Sequence, residues 1–234
     1  KQKTAYEIRL SLVGSEMCIR DRCGGAVFDA VTSVPAVFDL AVENPGSAGN
    51  PACPLQVNIA FEGLPAGVPQ PFPNPIDLAQ GEQALIRLDN RVRKCTIRIS
   101  VVCFFSPSGT CQPGISLGRG QQGTLGADFI WFDRECGEAG PRPLMMFSTA
   151  KPVTFTITVE PTSCPVSVYR ADGQGGVPKK ILTVQPGQVE TDFAVKPRLT
   201  IRPFKRPFYE LLTLYTQCEK SDAEFCEFTL NVAD

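Results

Sequence analysis

Apolar and polar residues alternate one for one along much of this chain. Leu55-Gln56-Val57-Asn58-Ile59-Ala60-Phe61 and Phe155-Thr156-Ile157-Thr158-Val159 each place an apolar side chain at every second position. A period of two marks a strand with one covered face, and the Val, Ile, Phe and Thr that fill these runs suit a pleated surface. The stretch Thr96–Val101 puts Ile97, Ile99 and Val101 on one face and Arg98 and Ser100 on the other. No window longer than ten residues carries a convincing helical stripe. The nearest, Tyr209–Gln217, fits a strand as well as a helix, because Leu212 and Leu214 are also two apart. Twenty-one prolines and 20 glycines punctuate the strands at intervals of about 8–12 residues.

The pattern repeats. Cys23-Gly24 recurs as Cys136-Gly137 and Cys53-Pro54 as Cys164-Pro165, while Cys103 and Cys111 recur as Cys218 and Cys226. The offsets stay between 111 and 115. Between the cysteines, Val37–Asn44 parallels Thr154–Pro161, Ile76–Gln83 parallels Leu182–Val189, and Gly-Val-Pro follows at Gly67 and at Gly176. Two tandem copies are expected, at 23–135 and 136–234, differing mainly in Pro/Gly-rich loops such as Asn44–Ala52. Seven or eight short strands in roughly 110 residues predict an all-β fold of two antiparallel β-sandwiches. In size and strand rhythm each copy resembles an immunoglobulin-like or fibronectin-like module, an architecture found in extracellular surface and fibre proteins. The Cys…Trp…Cys hallmark of true immunoglobulin domains is missing, because Trp131 follows both Cys103 and Cys111.

The first 22 residues stand outside the pattern. Lys1–Ile8 reads as the codons AAG CAG AAG ACG GCA TAC GAG AT, and Leu12–Asp21 as CTC GTG GGC TCG GAG ATG TGT ATA AGA GAC. These resemble the flow-cell primer and the transposon end of a sequencing library, with Ile8–Ser11 spanning the index. Residues 1–22 are therefore expected to be a translated adapter, with native sequence beginning near Cys23, inside a longer protein. They lack the apolar core and small-residue cleavage site of a secretory signal. Setting them aside removes five basic and three acidic residues from the 23 and 24 of the chain, leaving 18 and 21 and a net charge of about −3. That balance argues against nucleic acid as a partner. No apolar run approaches the length of a membrane span.

Without Cys18, nine of the ten cysteines remain, a density that points to an oxidising compartment. The repeated positions Cys23, Cys53, Cys103, Cys111, Cys136, Cys164, Cys218 and Cys226 are the disulfide candidates. Cys103–Cys111 and Cys218–Cys226 are spaced to close short loops, and Cys23–Cys53 and Cys136–Cys164 to tie the first strands, although spacing alone does not decide connectivity. Cys95 has no counterpart in the second copy and is left as an intermolecular or free thiol. No metal is expected, since zinc-knuckle spacing and histidine are both absent.

The lack of histidine also removes the commonest general base and the Ser-His-Asp and Cys-His arrangements. What remains is a carboxylate mechanism through Asp128, Asp133 and Glu135 beside Trp131, an aromatic able to stack on a sugar. Gly114–Gly126 is rich in glycine but lacks the Gly-Lys-Ser/Thr ending of a phosphate loop. Arg87, Arg91, Arg93, Lys94 and Arg98, with Arg198, Arg202, Lys205 and Arg206, offer either an anion-binding face or a solvated strand face protected against pairing. The leading expectation is a non-enzymatic, extracellular or cell-surface structural protein. It would be a subunit of a fibre, appendage or coat, would partner copies of itself or other surface proteins, and would need no cofactor. The alternative is a carbohydrate-binding or adhesion module that contacts glycans through Trp131 and the Tyr169 region.

Overall fold

The computed structural model describes residues 10–11, 24–45, 54–64, 70–104, 113–120, 128–134, 140–173, 175–188, 191–201, 208–219 and 226–233. The fold is all-β with several antiparallel sheets. In chain order the first strands are β1 (Leu10–Ser11), β2 (Gly24–Thr32), β3 (Val37–Glu43), β4 (Leu55–Glu62), β5 (Ile76–Leu78) and β6 (Gln83–Asp89). A single helical turn, α1 (Asn90–Arg93), leads into β7 (Thr96–Phe104), β8 (Gly114–Arg119) and β9 (Asp128–Asp133). There follow β10 (Arg142–Ser148), β11 (Val153–Val159), β12 (Val166–Asp172), β13 (Lys179–Val184), β14 (Thr191–Val195), β15 (Leu199–Thr200), β16 (Phe208–Tyr209), β17 (Leu212–Cys218) and β18 (Phe228–Ala233). Chain contacts divide the molecule into two compact units, one of Lys1–Ala66, Pro73–Ala84 and Asp89–Arg119, the other of Gly67–Phe72, Leu85–Leu88 and Gly120–Asp234.

In the first unit a sheet runs β1-β2-β7-β4-β5, and β3 pairs with β8. Alternation works here as the sequence predicts. Leu55, Val57, Ile59 and Phe61 of β4 are buried while Gln56 and Asn58 are half-exposed. Ile97, Ile99 and Val101 of β7 face inward, and Arg98 stays exposed, paired with Glu62 of β4.

In the second unit five neighbouring strands of an eight-stranded sheet run β9-β10-β17-β12-β13, and a smaller sheet runs β14-β11-β18. Inward side chains of both sheets form one apolar cluster, including Met145, Phe147, Phe155, Ile157, Val168, Phe193 and Leu214. Phe155 lies at its centre, its ring 5.6 Å from Phe147 and 5.5 Å from Phe193. The ambiguous Tyr209–Gln217 segment resolves as β16 and β17. β17 is paired on both sides, to β10 and to β12, and its backbone bonds are made across strands.

Residue pairs in the two units keep the offsets of the sequence. Leu55 faces Cys103 and Val57 faces Val101 across β4–β7, while Val166 faces Cys218 and Val168 faces Thr216 across β12–β17. Ala30 faces Ile99 across β2–β7, as Met145 faces Leu214 across β10–β17. Leu40 faces Leu117 across β3–β8, as Ile157 faces Leu230 across β11–β18. Turn chemistry is shared too. Gly81 and Gly187 have φ of 79° and 75°, a left-handed conformation that glycine adopts without steric cost. In each turn the residue two before the glycine donates its N–H to the side chain one beyond it, Ala79 to Glu82 Oε2 at 2.7 Å and Gln185 to Gln188 Oε1 at 3.0 Å. The carbonyls of Ala79 and Gln185 accept from the Glu82 and Gln188 amides, closing a turn with glycine third of four. Two elements group otherwise than the offsets: Leu85–Leu88 of β6, from the first copy, falls in the second unit, and so does β9. The cysteine offsets place Asp128–Asp133 at the end of the first copy, whereas pairing with β10 places it in the second unit.

Candidate functional site

Three cysteines meet at one end of the second unit. Cys164 stands ahead of β12, Cys218 closes β17, and Cys226 stands ahead of β18. Their sulfurs all lie within 4.8 Å of one another. Cys164 and Cys226 are bonded, with Cα atoms 5.1 Å apart, within the span a bridge makes without moving backbone. Cys218 is also disulfide-bonded. This pairing replaces the short-loop pairings Cys218–Cys226 and Cys136–Cys164 that spacing suggests. The reason lies in the sheets: β17 and β12 belong to one and β18 to the other, so the step from Cys218 to Cys226 changes sheet instead of closing a hairpin.

Hydrogen bonds fix both ends of the bridge. Glu227 N donates to Ser163 Oγ at 2.7 Å, and Glu160 N to Glu227 O at 3.2 Å. With Cys164, Cys218 and Cys226 all committed to S–S bonds, none offers the thiolate that a soft metal binds. In the first unit Cys103 is buried and disulfide-bonded, facing Leu55 as Cys218 faces Val166. Cys23, Cys53, Cys111 and Cys136 lie outside the described residues.

Cys95 is a free, buried thiol, only 3% exposed, at the junction of α1 and β7. Its neighbour Asn90 is fully buried and satisfies the whole corner. The Asn90 amide nitrogen donates to Val34 O at 3.1 Å and Cys95 O at 2.8 Å. Its Oδ1 accepts from Cys95 N at 3.1 Å and from Cys95 Sγ at 3.3 Å. Asp89 caps α1 by accepting from Arg91 N at 2.9 Å, and the Arg91 guanidinium grips the same carboxylate at 3.0 and 2.6 Å. Burial opposes ionisation of Asp89, but those Arg91 bonds outweigh it and hold the carboxyl below its ordinary value.

The remaining candidates do not converge. Trp131 is half-buried and packs against the apolar cluster of the second unit. Asp128 is buried and Asp133 exposed. Five positions apart, they point to opposite faces of β9 and do not flank a common substrate bond. Glu135 lies outside the described residues. Three of the basic side chains are internally engaged: Arg93 stacks over Phe61 at 5.3 Å, Arg87 over Phe129 at 5.0 Å, and Arg198 meets Asp172 at 3.2 Å and Glu210 at 3.3 Å, while Arg202, Lys205 and Arg206 lie outside the described residues.

A polar network runs over β12, β13 and β17. Glu219 accepts from Ser167 Oγ and from Lys180 Nζ, the latter at 2.7 Å, and Tyr169 Oη donates to Gln217 Oε1 at 2.8 Å. The Lys180 and Ser167 bonds hold the Glu219 carboxyl below its ordinary value, and Glu219 raises the Lys180 ammonium. Sequence reading misses both Asn90 and this network, since a lone amide among charged residues and a Ser-x-Tyr on a strand carry no periodic signal. Comparison with protein-family models, with curated proteins and with solved structures finds no match.

Proposed function

We propose that this chain is part of a non-enzymatic, extracellular structural protein, a subunit of a surface fibre, appendage or coat built from tandem, disulfide-tied, immunoglobulin-like β-sandwiches. The observation that carries the reading is one framework present twice, with matching register and with a buried, disulfide-bonded cysteine at the same strand position, Cys103 and Cys218. Sheets locked in this way withstand an environment without chaperones. Strand edges and head-to-tail contacts give such modules a route to filaments. Among the described residues Trp131 packs against the apolar cluster and Asp128 and Asp133 diverge, which favours this reading over the glycan-binding and carboxylate-hydrolase ones. We also propose that residues 1–22 are adapter-derived and foreign to the natural protein.

The test is the assembly state of the purified protein carrying its natural N-terminal sequence, followed by sedimentation and electron microscopy with and without reductant. Oligomers or filaments that dissociate on reduction are expected. A strict monomer, indifferent to reductant, would sink the proposal.

A further inference from the structure

The second copy carries a stretch that the repeated framework does without. Thr96-Ile97-Arg98 of β7 recurs as Thr200-Ile201-Arg202 at an offset of 104, whereas Cys103 and Cys218 stand 115 apart, so 11 extra residues separate the second motif from its cysteine. The added length changes where the motif goes. Ile97 is 0% exposed in the core of the first unit, while Ile201 is 76% exposed. The place of β7 is taken by β17, since Leu214 faces Met145 as Ile99 faces Ala30. The displaced chain forms the ribbon β15–β16, in which Leu199 faces Tyr209 and Thr200 faces Phe208. Leu199 and Tyr209, directly opposed, share one face, and Ile201, two residues beyond Leu199, keeps its parity. All three are exposed. The ribbon is nonetheless fixed to its unit. Arg198 meets Asp172 and Glu210, Gly173 N donates to Leu211 O at 2.7 Å, and Ser148 Oγ donates to Tyr209 O at 3.3 Å. The connection that starts at Gly173 carries Val177, 78% exposed.

We propose that the β15–β16 ribbon is a membrane-docking element and that its partner is a bilayer surface rich in anionic phospholipid. Two observations converge. An exposed apolar stripe on an element that the framework does without calls for a partner. Charge is segregated at the same place: Lys196–Tyr209 contains Lys196, Arg198, Arg202, Lys205 and Arg206 and no acidic residue, in a chain of net charge −1. Lys179 and Lys180 follow Val177, and Lys179, Lys180 and Lys196 are all exposed. Arg202, Lys205 and Arg206 enter by their place in the sequence alone, on the link between the two strands. Aliphatic and aromatic side chains with Lys and Arg beside them fit the boundary between acyl chains and headgroups. Leu199, Ile201 and Tyr209 enter that boundary, and the basic residues meet lipid phosphates. A nucleic acid or an anionic glycan would take the charge but leave Ile201 nothing to bury against. The ribbon lies on the bilayer, because its two-residue strands fall far short of the roughly 9–11 residues a spanning strand needs.

Flotation of the full chain with phosphatidylcholine vesicles, with and without phosphatidylglycerol, tests this. The protein should float with the anionic vesicles, bind the neutral ones about tenfold less or weaker still, and release at high salt. Leu199→Ser with Ile201→Ser, and separately Arg202→Ser, Lys205→Ser and Arg206→Ser together, should each lower binding about tenfold or more. Val31→Ser, the same change at an exposed site of the first unit, should leave binding unchanged. On the unaltered chain, anionic vesicles should slow amide exchange at Leu199–Ile201 and leave β11 as it was, a readout that needs no variant to fold. Failure to float, or exchange in β15 that lipid does not slow, overturns the proposal. So does a Leu199/Ile201 variant that binds like the unaltered chain, since charge alone would then act, or an equal loss with Val31→Ser. A dimer in lipid-free solution that the Leu199/Ile201 variant abolishes overturns it too, because a second copy would then cover the face. Binding is scored on monomers, so failure of the filament reading and failure of this one are separate results.

Discussion

Asn90 shows how much one side chain carries in this protein. Four of its hydrogen bonds hold the backbone of Cys95, the Cys95 thiol and the Val34 carbonyl. Asn90→Ala removes the bonds that Asn90 gives the buried Cys95 backbone and thiol, and one of the two donors to Val34 O, which keeps the Ala36 amide, at a cost of about 2 kcal/mol. Urea unfolding should show the loss, and a thiol reagent that ignores native Cys95 should label the variant. Charge acts beside that corner at Asp89 and, in the second unit, at Glu219. Asp89 and Glu219 are both held below their ordinary values, so each contributes stability above the unfolded carboxylate pKa of about 4, and that contribution is lost as pH falls through the folded value. Stability should decline on acidification below pH of about 4, and Asp89→Asn should flatten that decline; a slope unchanged by the substitution would refute the assignment. Lys180, raised by Glu219, contributes below its unfolded pKa and loses its part as pH rises through the folded value.

Strands β4, β7 and β11 were legible because alternation alone specifies which face is covered. In β11 the period of two by itself names Phe155, Ile157 and Val159 as core residues, and all three are at most 1% exposed. β17 was not legible: Leu212, Thr213, Leu214 and Thr216 are all buried, and covering on both faces erases the period of two. Cys164–Cys226 was hidden for another reason. The partner of a cysteine depends on which sheet the next strand joins, and no local signal records that. The grouping of β9 with the second unit was missed in the same way, since chain order and pairing partner are independent. Packing inside an element can be tested directly. Phe155→Ala empties the centre of the aromatic trio and should cost about 3–5 kcal/mol. Exchange or proteolysis should register the loss in β9–β18 while β2, β4 and β7 stay unchanged; equal loss in both would mean the units unfold as one.

At the scale of the whole molecule the constraint is covalent. The Cys164–Cys226 bond closes a stretch of 62 residues, worth about 4 kcal/mol in a chain-entropy account. Peptide mapping of the oxidised protein should recover that cross-link, and the double variant Cys164→Ala, Cys226→Ala should lower the thermal midpoint of the second unit. A map joining Cys218 to Cys226 would contradict the arrangement. Among described residues no helix is long and apolar enough to cross a membrane. The corner around Cys95 bears on how such a chain reaches its bonded state. Thiol–disulfide exchange proceeds through an accessible thiolate attacking a sulfur. In the folded chain the Cys95 thiol is buried and bound to Asn90, out of that traffic. An odd cysteine among many is a source of wrong bonds only while the chain is open. In the folded protein one amide side chain holds that thiol where a disulfide does not reach it.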